Sequence, residues 1–251
     1  TPVADDWERV KVKPSPYDNF STFAYLEGNK IQKVILICES NSDQALYQET
    51  QTKDVLSEDR TMILPKTEKG KPRLFSSSNL LKGTIDGMYF CYDKGGVTLA
   101  NGTSQQTYYQ SEYEGLILED FSALEKWIEE WCAGTGAKER KEILEFSAAG
   151  RVHQKYREGD FFRFRINRSL YGYGRILLDF NKMRKEKAPF WDIFMGKPIC
   201  AAVYHIVTER KDMRPEELEG LAMLPSQMVM DNNFFYGEYV IIGNQPVPED
   251  C

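Results

Sequence analysis

Gly159–Ile166 reads GDFFRFRI and, after the turn Asn167–Leu170, Tyr171–Asp179 reads YGYGRILLD. The first segment alternates. Phe162, Phe164 and Ile166 fall on one side of an extended chain, and Phe161, Arg163 and Arg165 on the other. A period of two with large aromatic residues predicts a strand, and the second segment predicts the next one. Phe190–Met195 and Ile199–Thr208 (ICAAVYHIVT) read as further strands. Pro215–Leu221 reads as a short helix with proline at its first position. Phe235–Gly243 (FYGEYVIIG) closes the series as the last strand. Short strands with one short helix predict a small, strongly curved sheet or barrel over residues 151–251.

Upstream the pattern differs. Residues 1–30 are polar, with Pro14, Pro16 and Gly28 as turn signals. Lys33–Cys38 (KVILIC) is a buried strand by its branched apolar run, Asp43–Tyr47 a short helix, Thr61–Leu64 a strand, and Thr67–Asn79 a loop. Gly83–Tyr92 and Gly96–Ala100 flank Asp93-Lys94-Gly95, the signature of a hairpin, and Tyr113–Leu118 reads as one more strand. The period then changes to three and four in Glu119–Gly134 (EDFSALEKWIEEWCAG), where Phe121, Leu124, Trp127, Ile128 and Trp131 share one helical face. Ser122 and Glu125 stand in capping-box relation and Gly134 at the position of a terminating glycine. A charged helix around Lys138–Phe146 follows. The expected organisation is α+β with two β-rich domains. An N-terminal domain, 1–140, ends in the amphipathic helix, and a β-rich domain spans 151–251, with a border near 134–155.

The chain has 251 residues, a formal net charge of −6 and pI ≈ 5.2. That length supports a sizeable core. No apolar run approaches the ~20 residues of a membrane helix, and Thr1–Arg9 show no basic-then-apolar signal pattern. Five scattered cysteines (Cys38, Cys91, Cys132, Cys200, Cys251) form no CxxC pair. Four of them sit in apolar stretches and read as buried free thiols, which fits a cytoplasmic location. Two histidines, His153 and His205, exclude a three-histidine zinc site. No metal or cofactor site is expected. GxSxG, P-loop, HExxH and dinucleotide fingerprints are absent, and His205, in an apolar strand, reads as a core histidine.

Charge is partitioned. The first 150 residues carry 17 basic and 24 acidic side chains, whereas Arg151–Lys187 carries 11 basic and 4 acidic. The last 64 residues carry 4 basic and 10 acidic. Within the basic stretch, Arg163, Arg165, Arg168, Tyr171, Tyr173 and Arg175 interleave guanidiniums with rings. Arginine and tyrosine dominate protein interfaces, arginine forks bind carboxylates and phosphates, and such a set also suits single-stranded nucleic acid. Against these stands a purely structural reading, in which the arginines pair with the acids of the last 64 residues. An acidic pI disfavours nucleic acid as the partner.

The segments GDFFRFRINRSLYGYGRILLD, FWDIFMGKPICAAVYHIV and MDNNFFYGEYVIIG together resemble the immunity protein 26 family of bacterial polymorphic toxin systems. The likeness covers roughly residues 157–247; the first 150 residues resemble no family named here. The resemblance implies a non-catalytic cytoplasmic protein that binds the toxin domain of a sister cell and blocks its active site or substrate groove. The expected contact residues are Arg163, Arg165, Arg168, Tyr171, Tyr173, Arg175, Trp191 and Tyr236. If the toxin is a nuclease, the acidic residues of 112–130 would mimic its substrate. Two rival expectations are a nucleic-acid-binding module using 151–187, and a hydrolase pairing His205 with Asp160 or Asp192.

Overall fold

The computed structural model describes residues 6–14, 19–38, 45–83, 85–183 and 197–247. The chain divides into two compact units, Thr1–Gly150 and Arg151–Cys251.

The N-terminal unit is built on one antiparallel sheet. Its strands are β1 (Glu8–Val12), β2 (Ser21–Glu27), β3 (Lys30–Cys38), β4 (Leu46–Gln51), β5 (Val55–Leu56), β6 (Met62–Leu64), β7 (Arg73–Leu74), β8 (Met88–Asp93), β9 (Gly96–Asn101) and β10 (Gln106–Gln110). The main run of neighbours is β10-β9-β8-β4-β3, with β2 and then β1 on the other side of β3, and β5-β6-β7 joined at Lys30↔Val55. β1 and β2 lie where the sequence reads as polar turns. The reason is alternation: Thr22, Ala24 and Leu26 are buried while Ser21, Phe23 and Tyr25 are only partly so. Averaged polarity hides such a strand. Leu46 and Tyr47, expected in a helix, pair instead with Asp93 and Tyr92; residues 43–44 of that expectation lie outside the described residues. The expected loop Thr67–Asn79 contains β7 and the start of helix α1 (Ser77–Leu81). Leu80 of α1 joins Ala24, Leu26, Ile31 and Val34 in one core.

Helices α2 (Phe121–Ala133) and α3 (Ala137–Ser147) pack on the other sheet face. Leu124, Trp127 and Trp131 of α2 and Ile143 and Phe146 of α3 meet Tyr92, Val97 and Tyr109 there. Asp120, not Ser122, caps α2, its carboxylate accepting the Ala123 N–H at 2.8 Å. Because the helix starts at Phe121, Ser122 already lies inside the first turn. Gly134 ends α2 in right-handed backbone, φ −78°. Tyr113–Leu118 is not a strand. A 3-10 turn, Ser111–Glu114, ends at Gly115 with φ +64°, which breaks the extended run. Leu118 then enters the core, its carbonyl accepting from the Tyr92 hydroxyl at 3.0 Å.

The C-terminal unit is an open antiparallel sheet of β11 (Asp160–Arg165), β12 (Tyr171–Asp179), β13 (Pro198–Thr208), β14 (Gln227–Met230) and β15 (Val240–Asn244). The order is β14-β13-β12-β11-β15, so β14 and β15 are edges and the sheet is not a closed barrel. Short helices α4 (Phe180–Met183), α5 (Pro215–Leu218) and α6 (Asn232–Phe235) complete it. The expected strand Phe190–Met195 lies outside the described residues. The expected last strand splits in two: Phe235 ends α6, Gly237 turns the chain at φ +71°, and extended structure resumes at Val240.

Both faces of this sheet are covered, which explains aromatic residues at successive positions of β11. Phe161, Tyr171, Tyr173 and Tyr204 pack with Met213 and Leu218 on one face. Phe162, Ile176, Ile199 and Ala201 pack with Phe234 of α6 on the other. Fully burying each such side chain contributes roughly 1.5–3 kcal/mol before the entropy of ordering it.

Candidate functional site

Antiparallel register places Arg165 opposite Tyr171, Arg163 opposite Tyr173, and Phe161 opposite Arg175. Directly opposed residues share a face. Five of the interleaved residues therefore come together, each guanidinium level with a ring on the neighbouring strand. The Arg165 guanidinium carbon lies 5.1 Å and that of Arg163 5.5 Å from the centre of the Tyr171 ring, and Arg175 sits 4.6 Å over Phe161. These are cation–π distances.

The set is less superficial than its composition suggests. Tyr171 and Tyr173 are buried, Tyr173 completely, and Arg175 is 6% exposed. The Tyr173 hydroxyl donates to the Arg210 carbonyl at 2.6 Å. Its burial raises the phenol pKa above the usual range, outweighing the lowering effects of its backbone contact at Met213 and of Arg163. Arg175 Nη2 donates to the carbonyls of Gln245 at 2.9 Å and Pro246 at 2.6 Å, tying the chain beyond β15 to the sheet. Arg163 Nη1 donates to the Lys211 carbonyl, and Arg165 Nη1 to the Arg168 carbonyl at 2.7 Å. These bonds run to the main chain. Asp212 and Glu217, two of the acids the purely structural reading requires, are engaged by Arg210 of their own segment, at 3.4 and 2.8 Å.

The exposed part of the face is therefore cationic with little free ring surface. Arg163, Arg165 and Arg168 are half-buried, Arg168 in the turn whose backbone Asn167 braces by accepting the N–H groups of Ser169 and Leu170. Base stacking needs open ring faces, and Tyr171 and Tyr173 do not offer them. The bonds from Arg163 and Tyr173 also hold the segment Arg210–Lys211 over the strands, adding the exposed Arg210 and Lys211, with Asp212 beside them, to the same rim. Sequence reasoning did not include these two cations. Their signal was the charged run ERKDMR directly after β13.

Tyr236 is not part of this face. It stands with Phe235, His153 and Arg151 beside α6, whose Phe234 packs on Phe162 across the sheet. Arg151 lies 5.0 Å from the centre of the Tyr236 ring and donates to its hydroxyl at 3.3 Å. Trp191 and Asp192 lie outside the described residues.

The catalytic alternatives find little geometry. His205 is exposed, not a core histidine, because it alternates with Tyr204 and Ile206, which pack in the core on the opposite face. Asp160 is buried and accepts from the Arg157 N–H at 2.8 Å and from Asn244 Nδ2 at 2.7 Å. It serves as a structural brace at the start of β11. Among the described residues no group of His, Cys, Asp and Glu is arranged to hold a metal ion. Of the cysteines expected to be buried, Cys38 is; Cys91 and Cys200 are partly so, and Cys132 is exposed on α2. No helix among the described residues is long and apolar enough to cross a membrane.

No curated protein and no solved structure matches the chain significantly. One family model does match. Residues 157–250, which include every described strand of the C-terminal unit, match the model of the Immunity protein 26 family.

Proposed function

We propose that the protein is a cytoplasmic immunity protein that binds a cognate secreted toxin domain and blocks its active site. The family match over residues 157–250 is the observation that carries this reading. It acts by stoichiometric occupation, without turnover of its own. The contact surface is the cationic rim of β11 and β12, with Arg163, Arg165 and Arg168 joined by Lys211. Tyr171, Tyr173 and Arg175 support that rim from beneath. A rim of this kind steers an acidic partner surface toward a rigid sheet and raises the association rate.

The test is protection. The toxin encoded beside this protein is expressed in a sensitive bacterium with and without it. The proposal expects growth to be restored by this chain and not by an unrelated immunity protein. Undiminished killing in its presence, with the chain shown to be expressed and folded, would overturn it.

A further inference from the structure

Helices α2 and α3 cover their sheet face incompletely and leave a cleft of about 930 Å³ between themselves and strands β3, β4, β8 and β9. Phe90 and Leu99 form part of its floor, and Trp127, Trp131 and Ile143 part of its wall. At its lip Ile128 is 37% and Leu144 68% exposed, so apolar surface continues out of the cleft onto the helices. Its volume falls among those of ligand sites, roughly 300–1,000 Å³. An open apolar surface of this kind marks an interaction site more often than chance.

The charge that α2 brings to it is acidic, whereas α3 carries Lys138, Arg140 and Lys141 beside Glu139, Glu142 and Glu145. Among the described lining residues, Glu49 and Glu125 are the ionisable carboxylates, and no lysine, arginine or histidine lines the cleft. Glu49 is engaged by buried Lys33 at 3.2 Å. Glu125 is exposed on α2, which also carries Glu129 and Glu130 against the single Lys126 and follows Glu119 and Asp120.

We infer that this cleft docks a segment of a partner protein that presents apolar side chains flanked by lysine or arginine. The apolar groups fill the space under Trp127 and Trp131, and the flanking cations meet the acidic lip of α2. An acidic segment of the same shape meets like charge along α2. The inference stands on the N-terminal unit alone and does not rest on the toxin reading.

Isothermal titration of the full chain against two short amphipathic peptides tests it. One combines leucine with lysine; the other has glutamate in place of each lysine. The lysine peptide is expected to bind at least about tenfold more tightly than the glutamate peptide. Ile128→Ser/Leu144→Ser removes apolar groups at the lip, and is expected to weaken the lysine peptide about tenfold while circular dichroism stays unchanged. Glu125→Lys is expected to narrow the difference between the peptides. Absence of binding, equal binding of both peptides, or binding unaffected by Ile128→Ser/Leu144→Ser would each overturn the inference. None of these outcomes touches protection by the C-terminal unit.

Discussion

The ring of Phe162 lies across Gly174 on the neighbouring strand: a Cβ built on Gly174 would fall on the tip of that ring and within 2.7 Å of the Ala202 carbonyl oxygen. Gly172 stands in the same relation to Phe164. The YGYGR motif thus alternates tyrosines that pack on one face with glycines that admit phenylalanine rings on the other. It is a packing motif, not a phosphate loop. Gly174→Ala is expected to destabilise the protein by about 1–3 kcal/mol, as overpacking does. Gly172→Ala should cost less, because Phe164 is only half-buried and can swing. Urea unfolding measures both, and Phe162→Leu in the Gly174→Ala background should recover part of the loss. An unchanged midpoint for Gly174→Ala would contradict the packing described.

Arg175 should matter for stability rather than for recognition. It makes two charge-assisted bonds to carbonyls beyond β15 and stacks on Phe161. Arg175→Met is expected to lower stability by roughly 1.5–3 kcal/mol. Arg175→Lys should not restore it, since one ammonium cannot reproduce a planar fork stacked on a ring. Thermal denaturation checks this. A lysine variant as stable as the parent would show that charge alone is required there.

Arg168 should behave in the opposite way. It sits half-exposed in a turn braced by Asn167. Arg168→Glu is expected to leave the melting temperature nearly unchanged and to slow association with the toxin about tenfold, with a reduced dependence on salt. Stopped-flow association at two ionic strengths reads this out. An unaltered rate would move the contact surface away from this rim.

Glu158 supplies a pH dependence. It accepts from the Asp179 N–H at 2.9 Å and from Lys182 at 2.7 Å. Burial pushes its pKa up, but these donors outweigh burial and hold the carboxyl below its ordinary 4.5. A carboxyl depressed in the folded state adds stability above its unfolded pKa, and that stability is lost as pH falls through the folded value. The parent should therefore lose stability on acidification below about pH 4.5. Glu158→Gln should start less stable at neutral pH and lose less over that interval. Parallel melting curves against pH for the two proteins would rule the contribution out.

Much of the C-terminal unit was legible because its signals are local. β12 has the bounds its sequence predicts, β13 differs by one residue, and Pro215 opens α5 as proline at a first helical position does. What escaped depends on tertiary context. Leu46–Gln51 is polar on average and becomes a strand because β3 and β8 flank it. Phe235–Gly243 reads as continuous strand, yet Gly237 and the docking of Phe234 under Phe162 divide it. For the site, composition identified the arginines and tyrosines of β11 and β12, and register explains why they share a face. It did not reveal which are buried, because the segment Arg210–Met213 that covers Tyr173 is distant in sequence.

The central claim is stoichiometric neutralisation, and titrating the purified toxin's activity with this protein tests it most directly. The account predicts that activity falls linearly to zero at a one-to-one ratio and that the complex persists through size-exclusion chromatography. Full toxin activity at an excess of the folded protein, with no co-elution, would contradict it.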